Sequence, residues 1–400
     1  MENENSKKSW GLFVLGLVIG LLVSLIIVSV IFKQNVRLSD DTLLNDQVLG
    51  KIESLEQLIH NRFYLAEMTD GELEEGIYRG MLAALNDPYS EYYTAEELTA
   101  LMDQTEGIYY GIGAYVGLDS VTALPKISGI IAGTPAEEAD LRPDDLIYRV
   151  NDQSMYGMSL TEAVALIKGP AGTTVKLTIV RSGESDYLEI SVPRRKVESP
   201  TVNFEMLDEE LAYIEITEFD DVTVDQFADA LAMAKGSNMK GLILDLRGNP
   251  GGSLSAVVDI ARMLLPEGLI VYTEDKNGER SEYRCDGSRE LKVPLVVLIN
   301  GNSASASEIL SGAIQDYGLG TLVGTTTFGK GIVQQIISLE DGSAVKLTIS
   351  SYFTPNGRNI HGTGIEPDVE CVFDAETYYG TEDRYDNQLE KAKEVLRGTH

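Results

Sequence analysis

Residues 294–310 read PLVVLINGNSASASEIL, an apolar run that ends in small polar residues before a helical pattern begins. Residues 241–252, GLILDLRGNPGG, have the same construction, with glycines where the first stretch has serines. Short, fully apolar runs are typical of buried strands, and a helical pattern follows each of the two turns. Repeated strand–turn–helix units predict an α/β layer domain, which we assign to residues 196–380.

A helical region and a β-rich region precede this domain. Residues 33–105 place apolar side chains at spacings of three and four, as between Leu44 and Ile59, which predicts helices with one apolar face. Because that region contains no group with recognisable chemistry, we expect it to pack or to self-associate as a homodimer. Residues 106–195 contain about five β-rich runs and two short helical runs, which predict a compact β-rich domain. Residues 381–400 predict a charged terminal helix.

An uncharged apolar run at residues 11–32 departs from this globular pattern. Its 22 residues exceed the ~20 that a helix needs to cross a bilayer. No small-residue cleavage site follows it, so we expect an uncleaved single-span anchor and not a signal peptide. In this interpretation residues 1–10 form a cytoplasmic tail of a cell-membrane protein, and residues 33–400 lie outside the cytoplasm.

The composition is that of a folded, acidic protein. Hydrophobic residues make up 43% and charged residues 24% of the chain, which is typical of globular and not of disordered proteins. The net charge of −31 argues against nucleic acid as a partner, because binding to phosphates needs a basic surface. Cys285 and Cys371 have no surroundings that require a disulfide, so we expect two unpaired buried thiols.

Small and polar residues follow both apolar strands of the predicted sheet, and ligands of α/β sheets bind beyond such strand ends. Gly251 and Gly252 leave backbone N–H groups accessible there, which can hold an oxyanion, although NPGG alone is more often a tight turn. Ser303, Ser305 and Ser307 follow the other strand, where a serine serves either as a helix cap or as a nucleophile.

A serine nucleophile needs a base, and the three histidines are poor candidates. His60 lies in the helical region, His400 is the last residue, and His361 lies in a loop without an aspartate pairing signature. Lys330, in TTTFGKGIVQQ, is flanked by glycines and apolar residues, and burial lowers the pKa of a lysine enough for it to accept a proton. Gln334, four residues later, offers an uncharged amide to orient the amine.

The same stretch also matches a phosphate-binding loop, as GTTTFGK at residues 324–330. Gly331 stands where that motif needs a serine or threonine for Mg²⁺. The following IVQQIISL is a strand pattern, whereas a phosphate-binding loop opens a helix. The sequence therefore favours a lysine base over a nucleotide site.

Several long motifs together resemble the carboxyl-terminal processing, or tail-specific, serine proteases. In chain order they are DPYSEYY at 87–93, a PDZ-like segment at 107–195, DLRGNPGG at 245–252, NGNSASASEILSGAIQD at 300–316, GKGIVQ at 329–334 and YFTPNGRNIHGTGIEPD at 352–368. The resemblance covers nearly the whole chain from about Leu43 to Val369. It implies a PDZ domain at residues 106–195 and then a crotonase- or ClpP-like α/β Ser–Lys protease domain, behind the transmembrane helix and the helical segment.

In that family the nucleophile is the middle serine of S-A-S-A-S-E, which implies Ser305. The base is a lysine 25 residues later, which implies Lys330, and the glutamine that positions the amine is implied to be Gln334. Ser303 and Ser307 are then expected to cap and support the turn. The resemblance implies a serine-type endopeptidase that forms an acyl-enzyme and uses neither a cofactor nor a metal ion.

The resemblance also implies an oxyanion hole and a peptide groove. The oxyanion hole is formed by backbone N–H groups of Ala306 and of Gly251 or Gly252. The groove captures carboxyl termini of protein substrates, with backbone amides and an added strand, at Gly111, Ile112, Gly113 and Ala114. The helix SLTEAVALIK is its expected wall, and the module either delivers substrate or gates the protease. One departure is Asp144, where family members often have glycine, which we expect to alter a surface turn only.

Two other function classes remain open on the sequence. A binding-only scaffold uses the PDZ groove without catalysis and does not react with serine-directed probes. An acyl-CoA enzyme of the crotonase type also uses a backbone oxyanion hole, but it has no need for a serine–lysine pair at these positions.

Overall fold

The computed structural model describes residues 43–380 and 384–398, and the chain divides into two units after Ala84. The predicted membrane anchor at residues 11–32 and the tail before it lie outside the described residues. In the part of the chain that is described, no helix is both long and apolar enough to cross a bilayer.

The first unit contains two amphipathic helices, α1 (Asp46–Arg62) and α2 (Asp70–Ala83). A capping box at Thr69 begins α2, with the threonine hydroxyl and the side chain of the third helical residue satisfying two free backbone N–H groups. The apolar stripe that predicted these helices is exposed, since Leu55 is 51% and Met81 is 52% exposed. Neither helix has a buried residue.

The second unit begins with a short strand, β1 (Glu91–Tyr93), and a helix, α3 (Ala95–Glu106). The capping box predicted from Thr94 and Glu97 is present at the start of α3 and is confirmed. The helix ends at Gly107, which adopts the left-handed conformation at φ 68° that favours glycine. The sequence patterns did not predict β1.

A β-rich domain follows, as predicted. Its elements are β2 (Ile108–Gly111), β3 (Ala114–Leu118), β4 (Pro125–Ile130), α4 (Pro135–Glu138), β5 (Leu146–Val150), β6 (Gln153–Ser154), α5 (Leu160–Ile167), β7 (Thr174–Val180), β8 (Leu188–Pro193) and β9 (Arg195–Glu198). The sheet has the order β3-β4-β5-β7-β8, with β6 on β5, while β2 pairs separately with β9. Alternate side chains of the strands point inward to one core, which includes Ile127, Ile147 and Leu177.

The predicted α/β domain contains a six-stranded sheet with helices between its strands. Its elements are β10 (Val202–Met206), β11 (Leu211–Ile216), α6 (Asp221–Gly236), β12 (Gly241–Asp245), α7 (Leu254–Ala261), β15 (Leu295–Ile299), α8 (Ala306–Asp316), β16 (Gly320–Gly324) and β19 (Val369–Glu370). The strand order is β10-β11-β12-β15-β16-β19. All its pairings are parallel except that of β10 with β11. Because every residue of β12 and β15 is buried, the fully apolar runs in the sequence are explained.

A second, antiparallel sheet lies in the same domain. It consists of β13 (Gly268–Asp275), β14 (Arg280–Cys285), β17 (Ile332–Ser338), β18 (Ala344–Phe353) and the early strand β1. The two predicted hairpins, β13–β14 and β17–β18, are confirmed. Strand β1 pairs with β18, which brings residues near position 90 to the edge of the hairpin that begins just after Lys330.

Two predictions for the end of the chain need correction. The terminal helix α10 (Asn387–Gly398) begins later than residue 381, because the Asp386 carboxylate accepts hydrogen bonds from the first free N–H groups of the helix. A short helix, α9 (Ala375–Gly380), precedes it. Both cysteines are unpaired as expected, but only Cys285 is buried, whereas Cys371 is partly exposed.

Candidate active site

The turn after β15 gives its three serines different surroundings. Ser303 is fully buried and donates a hydrogen bond to the Leu246 carbonyl at 2.8 Å, and Ser307 is fully buried and donates to the Asn249 carbonyl at 3.0 Å. These two serines therefore join their own turn to the turn after β12. Ser305 stands between them at the start of α8 and borders a cavity.

The backbone of Ser305 is strained. Its φ of 54° and ψ of −112° lie outside the usual regions for a residue with a side chain, at a cost of about 1–3 kcal/mol. A sharp, strained turn between a strand and a helix is also how α/β-hydrolases expose a nucleophilic serine. The conformation directs the chain into α8 while Ser305 remains on the wall of the cavity.

This cavity, which we call the catalytic cavity after the candidate residues that line it, has a volume of about 410 Å³. Ser305, Ala306, Lys330, Gln334 and Gly252 all line it. The structure thus brings together residues from the ends of two parallel strands and from the second sheet. The sequence pattern alone does not indicate that Lys330 reaches the serine turn.

Lys330 has the electrostatic surroundings expected of a base. Burial lowers the pKa of its ammonium, and the positive charge of Lys346 lowers that pKa further, against the opposing attraction of Asp87 and Glu308. Its Nζ lies 4.5 Å from the centre of the Tyr89 ring. Within residues 43–380 and 384–398, no hydrogen bond joins Lys330 Nζ to Ser305 Oγ, so the amine rests on the ring.

The NPGG turn lies directly against Ser305. A Cβ atom on Gly251 would lie 2.7 Å from the Ser305 Cβ, so only glycine fits there. The Gly251 N–H already donates to Asn249 Oδ1 at 2.8 Å. By contrast, the described residues offer no hydrogen-bond acceptor to the N–H groups of Gly252 and Ala306. Of the two glycines expected for the oxyanion hole, the geometry therefore favours Gly252, and Gly251 supplies space.

Glu308 is a buried residue of the candidate site that the sequence patterns did not indicate. It is fully buried, and its Oε2 accepts hydrogen bonds from the backbone N–H groups of Ser305 at 2.8 Å and Lys330 at 2.9 Å. Its Oε1 accepts from the Thr327 hydroxyl at 2.6 Å and from the Gly329 N–H at 2.7 Å. One carboxylate thus holds the two chain segments that carry the serine and the lysine. The only sequence signal was the final glutamate of SASASE.

Gln334 is connected to the segment that contains β1. Its Nε2 donates to Thr348 Oγ1 at 3.2 Å, and the Thr348 N–H donates to Ser90 Oγ at 3.1 Å. The Ser90 hydroxyl in turn donates to the Asp87 carboxylate at 2.6 Å. Pro88 and Tyr89 of this segment line the catalytic cavity, which gives the DPYSEYY motif a structural reason.

The predicted peptide groove coincides with a larger cavity of about 890 Å³, lined by Gly111, Ile112 and Ala114. In the described part of the chain, the N–H groups of Ile112 and Gly113 donate to no acceptor, which fits a site for a carboxylate. The Ile112 side chain is only 2% exposed and belongs to the domain core, so it closes the floor of the groove and does not face an open surface. Helix α5 lines one wall, as predicted.

One group of potential metal ligands occurs among the described residues. Glu56, His60 and Asp70 bring their ligand atoms within 4.8 Å of one another, but all three are exposed. His60 already interacts with Asp70 at 3.2 Å. The group lies in the first helical unit, and no metal site is assigned to it.

Comparisons with known proteins agree with this architecture. Residues 210–371 match the model of peptidase family S41, residues 126–181 match a PDZ domain, and residues 29–97 match the N-terminal domain of the activating protease CtpB. The PDZ match lies inside the β-rich domain, and the S41 match contains the whole catalytic cavity except the wall contributed by residues before position 210.

Relatives and solved structures lead to the same family. The chain is 37% identical over 327 residues to the carboxy-terminal processing protease CtpA of Bacillus subtilis, covering 82% of this chain and 69% of that protein. It is 38% identical over 292 residues to a carboxyl-terminal-processing protease of Synechocystis, covering 72% and 68%. The structure of an S41 protease from Bacteroides fragilis has a TM-score of 0.52 at 18% identity, over 88% of this chain and 97% of that one, which supports the fold. The chain therefore belongs to peptidase family S41, as a serine-type peptidase of the carboxyl-terminal processing group with a PDZ domain.

Proposed function

We propose that the protein is a membrane-anchored serine endopeptidase that binds protein carboxyl termini in its PDZ groove and cleaves near them with Ser305 and Lys330. The observation that carries this proposal is the catalytic cavity. It combines a serine on a strained turn, a lysine with a pKa lowered by burial, and two backbone N–H groups that have no acceptor among the described residues.

In the proposed reaction, Ser305 Oγ attacks the scissile carbonyl while the neutral amine of Lys330 takes the hydroxyl proton. The negative charge that develops on the carbonyl oxygen is stabilised by the N–H groups of Gly252 and Ala306. The Lys330 ammonium then gives its proton to the leaving amine, and an acyl-enzyme forms. Water attacks this ester with Lys330 again acting as the base, which releases the second product and restores the serine.

The lysine must first leave its resting contact. Its ammonium is stabilised by the Tyr89 ring, because an aromatic face attracts a cation. Rotation of the side chain towards Ser305 removes that stabilisation and favours the neutral amine. Gln334, with its amide nitrogen held by Thr348, keeps its Oε1 available to orient the amine. Substrate in the cavity shifts the lysine by excluding water and by occupying the space beside the ring.

The PDZ groove supplies selectivity for chain ends. The N–H groups of Ile112 and Gly113 bind the terminal carboxylate, and β3 pairs with the peptide as an added strand. The apolar side chains of α5 receive the last side chain of the peptide. The alternative role of the groove, gating of the protease, is supported by Gln104, Glu218 and Asp220, which border both the groove and the catalytic cavity.

Anchoring at the membrane is proposed from residues 11–32, an uncharged run of 22 residues. We place the peptidase part outside the cytoplasm and the tail of residues 1–10 inside. The exposed apolar stripes of α1 and α2 support self-association of the anchored chain as a homodimer. Protease added to intact cells should degrade residues 33–400, whereas protection of this part until lysis contradicts the proposed topology.

The reaction is tested with the full chain and a peptide that ends in apolar residues. Ser305→Ala and Lys330→Ala should each lower kcat/KM at least ~10³-fold while the free energy of unfolding stays near that of the unsubstituted protein. Ser303→Ala is the matched control on the same turn. It removes two hydrogen bonds, one donated to the Leu246 carbonyl and one accepted from the Asn300 N–H, so it should lose about 2 kcal/mol of stability while it retains most activity. Full activity of either dyad variant contradicts the proposal.

A further inference from the structure

Two acidic residues, Glu218 and Asp220, lie beside the turn that carries the proposed oxyanion hole. They flank Phe219, which forms a parallel bridge with Gly252. The Phe219 N–H donates to the Gly251 carbonyl at 2.9 Å, and the Ser253 N–H donates to the Phe219 carbonyl at 2.7 Å. Since alternate residues of an extended segment point to one side, the two carboxylates share the side opposite to the buried Phe219.

These acids also border both cavities. Three of the described residues line both the 890 Å³ groove cavity and the 410 Å³ catalytic cavity, namely Gln104, Glu218 and Asp220. We call this constriction the acidic passage. A peptide whose carboxyl terminus occupies the groove and whose scissile bond lies at Ser305 must run through it.

The negative charge of the acidic passage has no cationic partner. Asp220 is 5% exposed and Glu218 is half-buried, yet no lysine or arginine nitrogen of the described chain lies within ion-pair distance of either carboxylate. Burial, together with the neighbouring negative charges of Glu218 and Asp221, raises the pKa of Asp220 to about 7. Burial alone raises the pKa of Glu218. Desolvated carboxylates of this kind are stabilised by a proton or by a bound cation.

The charged groups nearby do not supply that cation. Asp103 of α3 adds another acid to the groove cavity. Lys168 lies 5.4 Å from the centre of the Tyr109 ring, and Lys330 rests on Tyr89. The remaining lysine of the catalytic cavity, Lys346, pairs with Glu91 at 3.6 Å. The compensating charge is therefore left to the substrate.

We propose that Glu218 and Asp220 determine specificity by binding a lysine or arginine side chain of the substrate, between its scissile bond and its carboxyl terminus. This inference rests on the proposed function, because it assumes a peptide that spans both cavities. It narrows the substrate class to proteins with an apolar carboxyl terminus that is preceded, a few residues upstream, by a basic residue. A guanidinium or ammonium bound there makes charge-assisted hydrogen bonds to carboxylates that are already desolvated.

The test measures equilibrium binding of fluorescent peptides to the full chain carrying Ser305→Ala, which cannot turn them over. All peptides share one apolar tail, and a single lysine, glutamine or glutamate is moved through the positions before it. When the variable residue stands at one or two adjacent positions, the lysine peptide should bind at least ~10-fold more tightly than the glutamine peptide at pH 8. The glutamate peptide should bind more weakly than the glutamine peptide. The ratio of lysine-peptide affinity to glutamine-peptide affinity should be smaller at pH 6, where Asp220 binds a proton.

Variants and cleavage assays separate the possible failures. Asp220 is also the N-cap residue of α6, a position at which asparagine caps as well as aspartate. The isosteric double substitution Glu218→Gln and Asp220→Asn therefore preserves the cap, and it should reduce the ratio of lysine-peptide to glutamine-peptide affinity to about 1. Asp225→Asn, on the exposed face of α6, is the matched control and should leave the ratio unchanged. Equal binding of lysine and glutamine peptides at every position, or an unchanged ratio in the double variant, overturns the inference. If the unsubstituted chain cleaves none of the peptides that Ser305→Ala binds, the proposed function fails instead.

Discussion

The substitution Glu308→Gln removes the charge that holds the serine and lysine segments together while it preserves shape. The carboxylate accepts four hydrogen bonds, two at each oxygen. An amide has only one acceptor oxygen, so its NH₂ group must take the place of one of the two carboxylate oxygens. If the NH₂ faces Ser305 and Lys330, two backbone N–H groups lose their acceptor.

The other orientation is less costly. The NH₂ then faces the Thr327 hydroxyl, which can rotate and accept, and the Gly329 N–H, which cannot. A buried N–H that loses a charged acceptor costs about 1.5–3 kcal/mol. With the loss of charge at the remaining hydrogen bonds, we expect about 2–4 kcal/mol of lost positioning. If this loss appears in the transition state, kcat falls by roughly 30- to 1,000-fold.

The assay is steady-state cleavage of an apolar-tailed peptide, together with urea unfolding and the rate at which a serine-directed phosphonate labels Ser305. We expect kcat and the labelling rate to fall together while KM changes less than about threefold, because Glu308 does not border the peptide groove. Glu340→Gln, an exposed position in the β17–β18 turn, is the control and should change neither quantity. A Glu308→Gln protein that is less stable but retains kcat within threefold refutes the positioning role.

Three further predictions concern the surroundings of the dyad. Tyr89→Leu removes the ring that stabilises the Lys330 ammonium, a contact worth about 0.5–1 kcal/mol, so the pKa of Lys330 falls. The rising limb of the pH–rate profile should move to lower pH, and kcat/KM on that limb should increase about two- to fivefold. A limb that does not move contradicts this prediction. Gly251→Ala places a Cβ atom against Ser305 at a backbone φ of 106° that favours glycine. We expect kcat to fall at least ~100-fold and the free energy of unfolding to fall by about 2 kcal/mol or more. An active and equally stable variant is the opposing result. Arg247→Met leaves the buried Asp245 carboxylate without its ion pair, so the free energy of unfolding measured in urea should fall by about 3–5 kcal/mol. Adding Asp245→Asn to the same chain should restore part of that loss. An unchanged unfolding midpoint in Arg247→Met argues against a structural ion pair.

Local patterns were sufficient for most elements of the fold. The buried runs at 241–244 and 295–299 predicted central strands because burial on both faces requires apolar residues along the strand. The Thr94 capping box and the β17–β18 hairpin were predicted from short-range turn and cap chemistry. Strand β1 was missed, since three residues carry no periodic signal and their pairing with β18 lies about 250 residues away.

In the candidate site, too, residue types and motifs could be identified from the sequence, whereas hydrogen-bond partners could not. Ser305 and Lys330 were selected from residue type and resemblance, and both line the catalytic cavity. Glu308 was missed because its four hydrogen-bond donors come from separate segments, and no spacing rule encodes them. The choice between Gly251 and Gly252 likewise depended on the Asn249 side chain, which occupies one of the two amides. Contacts between distant segments are therefore what the sequence left undetermined.

The central claim is that Ser305 forms an acyl-enzyme with Lys330 as its base. Rapid acid quenching during turnover of an apolar-tailed peptide, followed by peptide mapping by mass spectrometry, measures this directly. The account predicts an adduct with the mass of the amino-terminal substrate fragment on the peptide that contains Ser305. The adduct should be absent in Ser305→Ala and should form far more slowly in Lys330→Ala. An adduct on another residue, or undiminished turnover by Ser305→Ala, contradicts the account.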